Sequence, residues 1–190
     1  MSEQLKSIQK ILKATSNAAA LAAHRKFVPG IGAKIYGVRN PVLNEIARSF
    51  RTGGFSLAKE LWDTGAYEEK LVAVKLLGLI AKKDAARALE LIQYFAPGID
   101  NWAVCDAIGM QGLKPILKAE QEAVFAIAEK YNLSQNYWER RLSLVLVEWY
   151  TRDPALHPRI KKLVTPLEND PEYYVRKAVS WINRNFEKGK

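Results

Sequence analysis

The chain has 190 residues, 48% of them hydrophobic and 26% charged, enough for one buried core and too few for two ordinary ones. A single domain over 1–190 is therefore expected, and its formal net charge of +9 favours phosphate-rich or acidic partners. One cysteine, Cys105, excludes an internal disulfide, and two histidines, His24 and His157, leave little material for a metal site, so neither metal nor cofactor is expected.

The N-terminal stretch MSEQLKSIQKILK has lysines spaced through it, and no run approaches the roughly 18 apolar residues of a membrane span. A soluble, cytoplasmic protein is expected. Gly30-Ile31-Gly32-Ala33-Lys34-Ile35-Tyr36-Gly37 is glycine-rich, but position 35 is not the third glycine of a dinucleotide fingerprint and no strand precedes it. It reads as a loop. Beyond it, apolar residues recur at helical spacing, as in Leu71, Val74 and Leu77, or Leu142, Val145, Leu146 and Trp149. Breaks fall at Asn40-Pro41, Thr52 to Gly54, Asp63 to Gly65, Pro97-Gly98, Gly112, Asn132 to Gln135, Asp153-Pro154 and Asp170-Pro171. The pattern predicts an all-α chain of about ten helices.

Four segments align with one another: YEEKLVAVKLLGLI from Tyr67, WAVCDAIGMQGLKP from Trp102, YWERRLSLVLVEWY from Tyr137 and YYVRKAVSWINRNF from Tyr173. Their starts lie 35, 35 and 36 residues apart, and each opens with an aromatic residue. Such a period in a helical chain corresponds to one antiparallel helix pair per repeat, shorter than typical HEAT or armadillo units and close to the length of tetratricopeptide units, which predicts a curved α-solenoid. Partner helices are expected within DAARALELIQYFA, AEQEAVFAIAEKY and ALHPRIKKLV.

Equivalent positions of successive repeats form a row. The fifth positions are Leu71, Asp106, Arg141 and Lys177, and the ninth are Lys75, Met110, Val145 and Trp181. Trp102 shares the face of Asp106, one turn earlier. One carboxylate is thus expected among cations and indoles on a concave wall. An aspartate in so apolar a stretch needs a reason: an ion pair with Arg141 or Lys177, or work as a catalytic group. Trp102 and Trp181 are equally compatible with core packing, and Arg140 and Arg141 with a solvated helix face. A Ser–His–Asp or Cys–His nucleophile is weakly supported, and no lysine stands out as an imine-forming group.

Charge is uneven along the chain. Residues 1–66 carry 10 basic and 4 acidic groups, residues 67–132 carry 8 and 9, and residues 133–190 carry 11 and 7. Duplex DNA lying in a groove on that concave face would meet phosphate contacts at both ends, with Asp106 near the centre, and the basic ends alone fit RNA or an acidic protein as well.

These residues resemble the DNA alkylation repair family, AlkD-like DNA glycosylases built from HEAT-like repeats. The resemblance covers essentially the whole chain. It is carried by Tyr36-Gly-Val-Arg-Asn-Pro41, by Asn101-Trp-Ala-Val-Cys-Asp106, by Tyr137-Trp-Glu-Arg-Arg-Leu-Ser-Leu-Val145 and by Tyr174-Val-Arg-Lys-Ala-Val-Ser-Trp181. The resemblance implies excision of cationic N3- and N7-alkylated purines, such as 3-methyladenine and 7-methylguanine, from double-stranded DNA without base flipping. It implies catalytic roles for Asp106, Trp102 and Trp181, and DNA contacts through Arg141, with Lys177 and Arg140 beside it. A monofunctional, monomeric enzyme of base excision repair, associated with a prokaryotic nucleoid, follows as the expectation. A non-catalytic solenoid that binds branched or damaged DNA, or a protein scaffold, is the alternative.

Overall fold

The computed structural model describes residues 1–28 and 34–188. The glycine-rich segment falls outside the described residues from 29 to 33, and from Lys34 to Arg39 the chain is irregular. Eleven α-helices and no strand occur among the described residues: α1 (Glu3–Ala14), α2 (Ala18–Phe27), α3 (Asn40–Ser49), α4 (Gly54–Asp63), α5 (Tyr67–Ile80), α6 (Ala85–Phe95), α7 (Trp102–Ala107), α8 (Gln121–Asn132), α9 (Tyr137–Val147), α10 (His157–Val164) and α11 (Tyr173–Lys188).

All four aligned segments begin on the first residue of a helix, at Tyr67, Trp102, Tyr137 and Tyr173. Two of these starts have side-chain caps of the expected kind: Val104 N–H donates to Asn101 Oδ1 at 3.0 Å, and Trp138 N–H to Asn136 Oδ1 at 2.9 Å. The helices α5, α7, α9 and α11 pack neighbour against neighbour in one row, while α4, α6, α8 and α10 form a second row behind it. No helix is long and apolar enough to cross a membrane among the described residues.

The core runs between the two rows. Leu76, Leu77, Ile92, Phe95, Ile108, Phe125, Leu142, Leu146 and Tyr150 are essentially without solvent contact. Polar groups inside it are paired, as burial demands: Tyr150 Oη donates to Leu117 O at 2.6 Å, and Asn132 Nδ2 to Leu163 O at 2.9 Å.

The second aligned segment departs from the expected continuous helix. The α-helix stops at Ala107 and widens into a π turn over Ile108–Gly112, closed by Leu113 N–H on Ile108 O at 3.0 Å. Steric crowding accounts for the glycine there. A Cβ on Gly109 would lie 2.7 Å from both Val145 Cγ1 and Val145 O, so only glycine lets this turn touch α9.

A cation at the fourth position of three aligned segments ties its helix to a neighbouring loop. Lys70 Nζ reaches Gly98 O at 2.8 Å and Asp100 at 2.7 Å, just ahead of α7. Arg140 reaches Asp170 at 2.6 Å, just ahead of α11, and Arg176 donates to the carbonyls of Asp170 and Pro171.

Candidate active site

The short helix α7 sets the site. Its first residue, Trp102, and its fifth, Asp106, lie one turn apart and line the same cavity of about 400 Å³. The wall is completed by α2, α3, α5, the π turn and Val38. Trp102 is half-buried, and its Nε1–H donates to Phe27 O at 3.1 Å, which fastens the C-terminal end of α2 to the cavity.

Behind Asp106 stands Arg141 of α9. Its Nε donates to Asp106 Oδ1 at 3.0 Å, and its Nη2 to Oδ1 at 2.9 Å and Oδ2 at 3.0 Å. Nη1 donates to Tyr174 O, so one guanidinium joins α7, α9 and α11. The Arg141 side chain is 6% exposed and that of Asp106 is 18% exposed. The carboxylate is therefore fixed from inside, and it lines the cavity on its other side. Burial pushes the Asp106 carboxyl above its ordinary range, and the charge and hydrogen bonds of Arg141 oppose that rise. A carboxylate in this state is a stronger base than a solvated one.

The other expected site residues stand apart from the cavity wall. Trp181 is half-buried against the core on α11, and Lys177 on the same helix is exposed, with Nζ 5.2 Å from the centroid of Tyr173. Arg140 spends its donors inside the protein: Nε and Nη2 on Asp170, and Nη1 on Ser134 O at 3.0 Å and Gln135 O at 3.1 Å. Of the two adjacent arginines, Arg141 is thus the one at the carboxylate. Cys105 is fully buried, and burial with the neighbouring Asp106 charge pushes its thiol well up, which removes it as a nucleophile.

Three cavity residues were not among the expected site residues. Lys75 of α5 is 7% exposed, and its ammonium donates to Asn44 Oδ1 and Gln111 Oε1, each at 2.8 Å. Burial lowers its pKa. A lysine inside VAVKLLGLI carries the same signal that singled out Asp106, a charge in an apolar stretch. Exposed Phe27 and half-buried His24 also line the cavity; both belong to α2, which lies outside the repeat period. His24 Nδ1 is 3.7 Å from Glu68 Oε1 and makes no hydrogen bond among the described residues. Glu68 is buried and accepts from the N–H groups of Tyr36, Gly37 and Val38 at 2.9, 2.7 and 3.1 Å, which holds the irregular segment against α5.

What the arrangement offers chemically is one fixed carboxylate with raised basicity, an indole beside it, and a cavity large enough to admit a sugar or a base. A search of the curated proteins finds no match. The model of the family described as DNA alkylation repair enzyme matches residues 8–189, almost the full chain and every element around Asp106, and the protein belongs to that family.

Proposed function

We propose that the protein is a DNA glycosylase that excises cationic N3- and N7-alkylated purines, 3-methyladenine and 7-methylguanine among them, from duplex DNA at the start of base excision repair. The observation that carries this reading is Asp106: among the described residues the single carboxylate on the cavity wall, beside Trp102 and held from behind by Arg141. Its setting is an α-solenoid of HEAT-like helix pairs whose row of α5, α7, α9 and α11 faces a concave, basic groove. The protein works there as a monomer.

Ordinary glycoside hydrolysis uses two carboxyl groups, one of which protonates the leaving group. A base that already carries positive charge departs without that acid, so one carboxylate suffices. Asp106 stabilises the oxocarbenium-like sugar and takes a proton from the attacking water. Trp102, joined by Trp181 from α11, packs against the deoxyribose and favours the developing cation. The sugar, not the base, is brought to Asp106, so the lesion is not flipped out and the unstacking cost of a few kcal/mol is not incurred. Arg141 orients the carboxylate and presents its charge to a phosphate near the lesion, and Lys177 meets the backbone further along. Arg140 serves the groove through the fold that it ties together. Water is the nucleophile in base release, which makes that step monofunctional.

A second reading takes the Asp106–Arg141 pair as structural, since Arg141 has its donors engaged within the protein, and the molecule as a binder of branched or damaged DNA. Single-turnover release of 7-methylguanine from a defined duplex at saturating protein separates the two. Wild type releases the base, and Asp106→Asn slows release by about 100-fold or more while still binding DNA. Tight binding with no release by the wild type overturns the enzyme.

A further inference from the structure

Lys75 is an unusual group to find in this cavity. It is 7% exposed, and its ammonium has no carboxylate within ion-pair distance among the described residues, only the neutral amide oxygens of Asn44 and Gln111. Four other cations that are at least partly buried behave otherwise: Lys70, Arg140, Arg141 and Arg159 pair with acidic side chains. An amine kept away from counter-charges in an apolar wall loses its proton more readily, and burial does lower the pKa of Lys75. The neutral amine is a nucleophile toward aldehydes. Among the described residues, Lys75 and Asp106 are the one amine and the one carboxylate that line the cavity. Lys75 projects from α5 and Asp106 from α7, two helices that pack against each other.

Base release leaves a sugar whose ring-opened form bears an aldehyde at C1′. We propose that Lys75 attacks this aldehyde, giving the protein a second, strand-nicking lyase activity at abasic sites. This inference rests on the glycosylase reading for what enters the cavity. The Nζ lone pair adds to C1′, and the carbonyl oxygen leaves as water, which forms an imine between Lys75 and the sugar. Asp106 then removes a proton from C2′. The electron pair of that C–H bond forms the C1′–C2′ double bond of the enamine as the iminium pair returns to nitrogen; the nitrogen pair then re-forms the iminium, the C1′–C2′ pair moves to make the C2′–C3′ double bond, and the C3′–O bond breaks, expelling the 3′ phosphate by β-elimination. Water hydrolyses the imine, which returns the amine and leaves an unsaturated aldehyde on the 5′ fragment. No oxidant, metal or cofactor enters the balance.

The test uses a duplex with one preformed abasic site, so that it does not depend on base release. Wild-type protein is incubated with it in sodium borohydride, and the covalent protein–DNA adduct is quantified and mapped by peptide mass spectrometry. A borohydride-dependent adduct mapped to Lys75, and reduced at least tenfold in Lys75→Arg, is the expected result. Mapping on the wild type keeps the test valid if the variant fails to fold. No adduct, or an adduct at the N-terminal amine or another lysine, overturns the proposal. Release of 7-methylguanine without trapping removes the lyase and leaves the glycosylase standing. An adduct at Lys75 without release of 7-methylguanine does the reverse.

Discussion

Arg141 of α9 holds Asp106 through both carboxylate oxygens and reaches Tyr174 O of α11 with its remaining arm, so the carboxylate that faces the cavity is tied to two further helices of its row. Burial raises the Asp106 pKa and Arg141 lowers it, and the net direction is up. The working form is the carboxylate, so base release rises with pH as Asp106 loses its proton. Replacing Arg141 by Gln removes the opposing cation while burial stays, and the acidic limb of the rate profile moves to higher pH. Single-turnover rates of wild type and Arg141→Gln against pH check this. We expect a loss of rate that is greatest at acidic pH and shrinks as pH rises. A pH-independent loss, seen only as weaker DNA affinity, would assign Arg141 to phosphate contact alone.

The adjacent Arg140 answers to a different test. Burial acts to raise the Asp170 carboxyl, but hydrogen bonds from Arg140 and from Glu172 N–H outweigh it and hold the pKa below the usual range. A depressed carboxylate contributes stability that is complete above its unfolded value, near ~4, and that is lost as pH falls through the folded one. Thermal unfolding across pH therefore shows the pair. Arg140→Ala lowers stability at neutral pH by about 2–3 kcal/mol, several degrees in Tm, and flattens the loss on acidification.

Exposed Lys177 behaves in the opposite way. Lys177→Ala leaves Tm unchanged, weakens DNA binding irrespective of sequence, and lowers the slope of log affinity against log salt by about 1. Binding isotherms at several salt concentrations measure it; an unchanged slope would take Lys177 off the DNA path.

The row of α5, α7, α9 and α11 was legible because its residues repeat: an aromatic residue every 35 or 36 positions marks each helix start, and Asp106 and Arg141 meet because they hold the same place in consecutive repeats. The breadth of the cavity was not legible. His24 and Phe27 reach it from α2, which obeys no period, through contacts such as Phe27 O with Trp102 Nε1 that join positions 75 residues apart. The break in α7 was hidden too, because Gly109 reports a close approach to Val145 that only the packed neighbour reveals. Lys75 was in plain view as a charge in an apolar run, and only its place on the cavity wall separates it from a snorkelling surface lysine.

Gly109 sits three residues after Asp106, and its missing side chain sets the distance between α7 and α9. In Gly109→Ala the new methyl carbon meets Val145 Cγ1, which can rotate, and Val145 O, which cannot. The π turn must shift away from α9, at a cost of about 1–3 kcal/mol. The same shift loosens Arg141 from Asp106, so base release falls by more than the loss of folded protein explains. Unfolding curves and single-turnover rates on the same preparation check both halves; a drop in Tm with an unchanged rate would uncouple the turn from the carboxylate.

Trp102 combines an aromatic face on the cavity with an N–H on Phe27 O, and two substitutions separate these contributions. Trp102→Phe keeps an aromatic face and leaves Phe27 O without its donor, a loss of about 1 kcal/mol. The end of α2 is then held less firmly, so cleavage by trypsin after Arg25 or Lys26 speeds up while base release falls only a few-fold. Trp102→Ala removes the face as well, and release falls by an order of magnitude or more, because the cation forming on the sugar loses the ring beside it. Limited proteolysis and single-turnover kinetics on the two variants distinguish the roles. Equal loss of rate in both would place the work of Trp102 in its tether to α2, and equal rates in both would remove it from the chemistry.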